Sequence, residues 1–282
     1  MGLDNLERKQ ANVIPYPNIH PDILRIGPLH IRWYGLMYVL GFLSTYFLIQ
    51  RQKRSKEVGL VDSMAQDLVV YLAVGLIIGA RIGYVIFYQY AEYLYYLTHP
   101  LEIIAVWHGG MSFHGGLIGT LVAGWLFCRR NKLPFWAVAD SVIVTAPVGL
   151  AFGRIGNFIN GELFGRISQV AWAMVFPDGG PLPRHPSQLY EAFLEGFILF
   201  GILWFLRKKD FKDGMMVVFF LGFYGSFRFF IEFFREPDPQ IGLFLSVFSM
   251  GQALCAVMIL SAVALGIYVR KIDNTSRVPA SG

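Results

Sequence analysis

Residues Leu68–Tyr88 read LVVYLAVGLIIGARIGYVIFY, an apolar stretch whose only charged side chain is Arg81. A helix of about 17–25 apolar residues matches the hydrocarbon thickness of a bilayer, so this stretch reads as a membrane span. Six further runs of the same character lie near Trp33–Gln50, Phe113–Cys128, Phe135–Phe152, Leu189–Leu206, Met215–Phe234 and Phe244–Tyr268. The composition agrees with them: 55% of the 282 residues are hydrophobic and 15% are charged, with a mean hydropathy of +0.49. An ordinary soluble domain carries about 25% charged residues. The expectation is an all-α polytopic membrane protein with about seven transmembrane helices, forming a single transmembrane domain over residues 1–282.

Basic residues orient these spans, because short cytoplasmic loops are enriched in Lys and Arg. Arg51, Lys53, Arg54 and Lys56 follow the first run, and Arg129, Arg130 and Lys132 follow the third. Arg207, Lys208, Lys209 and Lys212 follow the fifth, and Arg270, Lys271 and Arg277 follow the seventh. These are alternate connections, which places the N-terminus outside and the C-terminus in the cytoplasm. The net charge of +5 is explained by this topology, and no basic face for nucleic acid is expected. Asp4, Glu7, Arg8 and Lys9 precede no apolar core, so a cleavable signal peptide is not expected. Cys128 and Cys255 both sit in apolar runs and read as small core fillers, neither a disulfide nor a metal pair. The longest outward connection, 154–188, is polar and rich in Gly and Pro, with a strand-like run Val170–Phe176, and reads as a small cap between the fourth and fifth spans.

Polar groups in such a chain need partners, since an unpaired buried polar group costs roughly 2–7 kcal/mol in an apolar medium. The segment GRIGNFINGELFG, Gly153–Gly165, sets Arg154, Asn157, Asn160 and Glu162 beside an apolar run. Tyr224, Arg228 and Glu232 recur every four residues and share one helix face. Arg154 and Arg228, from different spans, are suited to clamp an anion, and the abundant small anion in a membrane is phospholipid phosphate. His114 lies within GGMSFHGGLIG, where the glycines serve either tight helix packing or a site with a proton acceptor or anion contact. Tyr34 in IRWYGLMY reads first as interfacial belt. Arg81 is either a snorkelling side chain or the partner of a carboxylate. Glu191 and Glu195 follow the turn-like RHPSQLY on one face of the fifth span, and Arg184 and His185 in that turn read as interfacial.

Taken together, GRIGNFINGELFG, IRWYGLMY, GARIGY, GGMSFHGGLIG, RHPSQLYEA and YGSFRFFIEFFREPD resemble, in the same order, segments of the bacterial prolipoprotein diacylglyceryl transferases. The resemblance runs from about Ile31 to about Met250. It implies an inner-membrane enzyme, N-terminus periplasmic and active site toward the periplasm, whose partners are phosphatidylglycerol and a prolipoprotein signal peptide with a lipobox cysteine. The diacylglyceryl group would move to that cysteine as a thioether, releasing glycerol 1-phosphate, with no cofactor. By the same resemblance Arg154 and Arg228 are phosphate-side residues and His114 takes the thiol proton. Tyr34 donates to phosphate or glycerol, and Asn157 and Asn160 orient headgroup hydroxyls. Glu162 and Glu232 position the arginines, Tyr224 accompanies them, and Gly165 permits backbone geometry. The attacking thiol arrives on the substrate, so neither Cys128 nor Cys255 is a nucleophile. Two other classes use the same arginines, an anion transporter and a lipid-binding scaffold, and both leave substrate chemically unchanged. An intramembrane serine protease built on Ser112 lacks a separated base.

Overall fold

The computed structural model of the chain describes residues 14–17, 19–27, 29–236, 243–244 and 248–271. The apolar runs give helices, the last of them only from Met250: α1 Trp33–Gln50, α2 Asp62–Tyr88, α3 Phe113–Arg130, α4 Phe135–Ile143, α5 Ala146–Ile159, α6 Ser187–Leu206, α7 Met215–Ile231 and α8 Met250–Lys271. By length and hydropathy α2, α6 and α8 suffice to cross a membrane, and a fourth crossing results if α4 and α5 form one interrupted span. That interruption falls where Pro147 occupies the first turn of α5 and removes a backbone donor. α7 is apolar but only 17 residues long. The N-terminal charges Asp4 to Lys9 and the tail with Arg277 lie outside the described residues, as do Pro237 and Asp238 of the last motif.

The chain divides into two compact units, passing between them within α1 and at the end of α4. The smaller unit, 46–142, has a core of Ile49, Leu60, Leu68, Leu72, Phe127, Cys128 and Val138. Beyond that core α2 and α3 touch backbone to backbone. A Cβ added at Gly119 would lie 2.8 Å from the Cα of Gly79, so only glycine permits this approach, as in small-residue packing between membrane helices. Ser112 starts α3 as its N-cap, its Oγ accepting from Gly115 N at 3.2 Å.

Arg81 in this unit is buried and, among the described residues, meets backbone carbonyls and no carboxylate. It is 3% exposed, and its guanidinium donates to the carbonyls of Glu102 at 2.6 Å, Ile103 at 3.2 Å, Gly110 at 3.3 Å and also Gly109. A forked, permanently charged donor set suits several carbonyls of short helical turns, here Leu101–Ile104 and the chain after Val106–His108. Arg81 therefore ties the connection 101–110 to α2.

The larger unit takes the described residues of 14–45 and 143–271. Its core joins Val144, Leu199, Leu203 and Met216, with Phe219, Phe223 and Phe227 packed against them. The antiparallel hairpin β2 (Asp22–Ile26) and β3 (Leu29–Arg32) precedes α1. Between α5 and α6 the cap forms only a two-residue strand, β4 (Met174–Val175), paired in parallel with β1 (Ile14–Pro15). The rest of the strand-like run is a turn, with Ala173 N donating to Val170 O at 3.0 Å. Tyr16 Oη lies 2.6 Å from Phe158 O, which also accepts from Gly161 N at 3.0 Å, and 2.9 Å from Ile159 O, at the C-terminal end of α5. Arg184 reaches Gly179 O at 2.8 Å and Glu236 at 2.8 Å, which fastens this turn both within the cap and to the chain after α7.

Candidate functional site

Three helices of the larger unit deliver charge to one place. α5 carries Arg154, α6 carries Glu191 and Glu195, and α7 carries Arg228 with Glu232 just past its end. Residues Ala192–Ile198 of α6 adopt a π-helical turn, a form that appears mostly inside longer α-helices and frequently at functional sites. Both glutamates are held inward, at 1% and 0% exposure.

Glu191 is the hub. Its Oε2 lies 2.5 Å from Arg154 Nε, while its Oε1 lies 3.0 Å from Arg228 Nη1 and 3.3 Å from Arg235 Nη1. Arg228 also faces Glu195 Oε1 at 3.6 Å and Glu232 Oε2 at 3.3 Å. Glu232 in turn accepts from Ser249 Oγ at 2.9 Å. The hydrogen bond from Arg235 and the close ion pair from Arg154 load one carboxylate with guanidinium from both sides. Arg154 keeps 20% of its side chain exposed. Tyr224 sits one turn before Arg228, its ring stacked on Phe220 with centroids 5.4 Å apart.

The amides of the Gly153–Gly165 segment do something different. Asn157 Nδ2 donates to Glu162 Oε1 at 2.8 Å and Asn160 Nδ2 to the same oxygen at 3.2 Å. Gln188 Nε2 donates to the backbone carbonyl of Glu162 at 2.6 Å. Among the described residues Glu162 makes no ion pair with an arginine, so its partners are the two amides, and Glu232 alone of the two expected carboxylates braces Arg228. Gly165 is where backbones nearly collide: its N donates to His185 O at 2.8 Å, and a Cβ there would stand 2.7 Å from the Cβ of His185.

Tyr34, on the first turn of α1, packs over Gly156 of α5, and its hydroxyl lies 3.2 Å from that of Tyr38. His185 packs its ring against Phe234 and Tyr190, and burial lowers its imidazole pKa. Nearby, an apolar cleft of about 450 Å³ opens between α6 and α7, lined by Trp172, Leu189, Phe193 and Phe230 among others. His114 belongs to the smaller unit, exposed on the first turn of α3 beside Phe113. The structure thus gathers Arg154, Arg228, Glu232 and Tyr224 into one cluster and Asn157, Asn160 and Glu162 into a second group. Sequence reasoning ranked Glu191 and Glu195 low and gave Arg235 no role. The available signal was two glutamates four residues apart inside an apolar run that also lacks any basic residue to pair them locally.

Comparison with known proteins bears on this cluster. The family described as prolipoprotein diacylglyceryl transferase matches residues 21–268. The phosphatidylglycerol–prolipoprotein diacylglyceryl transferase of Desulfotalea psychrophila is 50% identical over 270 residues, covering 94% of this chain and 97% of that protein. The enzymes of the same name from Geobacter sulfurreducens and Photobacterium profundum are each 48% identical, over 91% and 92% of this chain and 97% and 96% of their own.

Proposed function

The chain belongs to the prolipoprotein diacylglyceryl transferase family, and from this we propose that it moves the sn-1,2-diacylglyceryl group of phosphatidylglycerol to the lipobox cysteine of a prolipoprotein. A thioether forms and sn-glycerol 1-phosphate leaves, the first step of bacterial lipoprotein maturation. The observation that carries the reading is the pair of arginines from α5 and α7 braced by one buried carboxylate.

The chemistry asks for that arrangement. The thiolate sulfur attacks the glycerol carbon bonded to the phosphate ester oxygen, the C–O bond breaks, and negative charge grows on the departing phosphate. Fixed cationic donors aimed at developing charge lower such a barrier, because they need no reorganisation as the reaction proceeds. Arg154 and Arg228 supply planar, permanently charged forks for the phosphate oxygens. Tyr34 donates to phosphate or glycerol, while Asn157 and Asn160, themselves anchored on Glu162, face the headgroup hydroxyls. Tyr224 and Glu232 complete the phosphate side, and Gly165 keeps the backbone close enough for the cap to close over it. A free cysteine thiol has a pKa near 8.5, so the attacking thiol needs a proton acceptor; this role we give to His114, exposed on the first turn of α3. The apolar cleft between α6 and α7 is suited to an acyl chain.

In the same proposal the chain makes seven crossings of the bacterial inner membrane, with α1, α3 and α7 joining the longer helices and the α4–α5 pair. The N-terminus and the 154–188 cap are periplasmic, and the basic clusters after α1, α3, α6 and α8 are cytoplasmic. The test is incubation of the purified protein with phosphatidylglycerol and a lipobox peptide, followed by mass spectrometry. A diacylglyceryl mass gain on cysteine, lost in folded Arg154→Ala and reduced in His114→Ala, is the expected result. An unchanged peptide with folded parent protein would refute transfer and favour a transporter or scaffold.

A further inference from the structure

The arginine cluster is already neutral. Arg154, Arg228 and Arg235 face Glu191, Glu195 and Glu232, three guanidiniums against three carboxylates. Phosphatidylglycerol brings one more negative charge on its phosphodiester. In a medium of low dielectric an uncompensated charge is far more costly than at a surface, so a neutral clamp holds that anion only by shedding a negative charge or moving one away.

We propose that Glu195 sheds it, taking up a proton as the phosphate enters. This rests on the phosphate reading of Arg154 and Arg228. Of the three carboxylates Glu195 is the one least held in its ionised form. Glu191 is close to three guanidiniums, and Glu232 has Arg228 and Ser249. Glu195 is fully buried, and neither of its oxygens accepts a hydrogen bond among the described residues. Its contact with Arg228, at 3.6 Å, is beyond hydrogen-bond range. The charged or titratable groups that act on its site are Arg228, Tyr224 and Glu232 from α7, Arg154 from α5, Cys255 from α8 and Glu191 on its own helix. When phosphate draws Arg228 toward itself, Glu195 loses its main counter-charge, and the neutral carboxylic acid becomes the stable form.

The consequence is a binding step linked to pH. If one proton is taken up with each lipid, affinity for phosphatidylglycerol falls by up to about tenfold per pH unit over the range where free Glu195 is ionised. The phosphodiester does not titrate there, so the effect reports on the protein. Calorimetric titration of the full chain with short-chain phosphatidylglycerol, in two buffers of different ionisation enthalpy, counts the protons. The parent is expected to take up about one and Glu195→Gln none, the variant binding with a flat pH profile. Infrared difference spectra of the parent give a second readout, a new protonated-carboxyl band on lipid binding that moves in Glu195→Asp. This readout serves even where Glu195→Gln misfolds. No uptake by the parent, or undiminished uptake and band in the Glu195 variants, would overturn the proposal. Arg154→Gln and Arg228→Gln separate the two layers. Binding that needs both arginines but moves no proton refutes the role of Glu195 alone, whereas binding that survives both changes refutes the phosphate site and the proton linkage with it.

Discussion

Glu191 Oε2 lies 2.5 Å from Arg154 Nε, and the glutamate side chain is 1% exposed. This one contact joins α5 to α6, and through the other oxygen of the same carboxylate α6 is joined to Arg228 and Arg235. Three cations thus share a single buried anion. Placing the anion on α6 fixes the arginines before any substrate arrives, the preorganisation that the proposed stabilisation of a departing phosphate calls for.

Removing that anion should be costly in two ways. Breaking a buried ion pair from one side is worth about 3–5 kcal/mol, a large part of the roughly 5–15 kcal/mol that holds a domain folded. Glu191→Ala is expected to lower the melting temperature in detergent sharply and to abolish transfer. Glu191→Asp, which keeps the charge on a shorter stem, should recover much of the stability but less of the activity. A Glu191→Ala protein as stable as the parent would show that the arginines find other partners.

Lysine in place of arginine separates function from packing. Arg154→Lys keeps a positive charge opposite Glu191, so the ion pair that joins α5 to α6 can persist. The fork geometry is lost, and one missing donor to a developing oxyanion typically costs about 10²–10³ in rate. We expect a fall of that order in kcat with a melting temperature near the parent's. If activity and stability fall together, the arginine is holding helices and the scaffold reading gains.

How much of this was legible beforehand depended on whether the signal was local. Apolar length marked the helices: the run Trp33–Gln50 is helix α1 with the same ends, because hydropathy and helix formation follow the same contiguous residues. The break between α4 and α5 was signalled only by Pro147. The four-residue spacing placed Arg228 and Glu232 together as expected. Partners from other helices could not be read. Glu162 stood next to Arg154 in the chain yet turned to Asn157 and Asn160, while the carboxylate that holds Arg154 comes from more than thirty residues away, on α6. Arg81 was misjudged for a related reason. The carbonyls it serves belong to short helical turns, Leu101–Ile104 and the residues after it, that lie more than twenty residues away in the chain, and sequence pattern carries no record of such distant backbone acceptors.

Arg81 yields its own prediction. Replacing it with Met fills similar space but leaves the carbonyls of Glu102, Ile103, Gly109 and Gly110 without their donor. Each buried polar group left unpaired costs about 1–3 kcal/mol, and the connection 101–110 should respond by loosening. Hydrogen exchange across that connection is expected to speed up, with exchange in the core of α2 little changed. Unaltered protection at 101–110 would mean that the segment is held by its other contacts.

The hairpin before α1 carries a pH response of definite sign. The hydrogen bond from His30, followed by that from Arg25, lowers the Asp22 carboxyl from its ordinary 3.8 to about 2. Arg25 Nε is 2.5 Å and His30 Nδ1 is 3.0 Å from the same carboxylate oxygen, with Arg32 at 3.5 Å from the other. Because the folded value is depressed, the contribution is fully present above the unfolded value. It is lost progressively as pH falls from about 4 toward 2. Protection factors for the amides of Asp22–Ile26 and Leu29–Arg32 should therefore hold steady from neutral pH to about 4.5 and drop below it. In Asp22→Asn they should already be low at neutral pH and change little on acidification. A parent hairpin whose protection is indifferent to acid would show that its strand pairing, and not the carboxylate, keeps it closed.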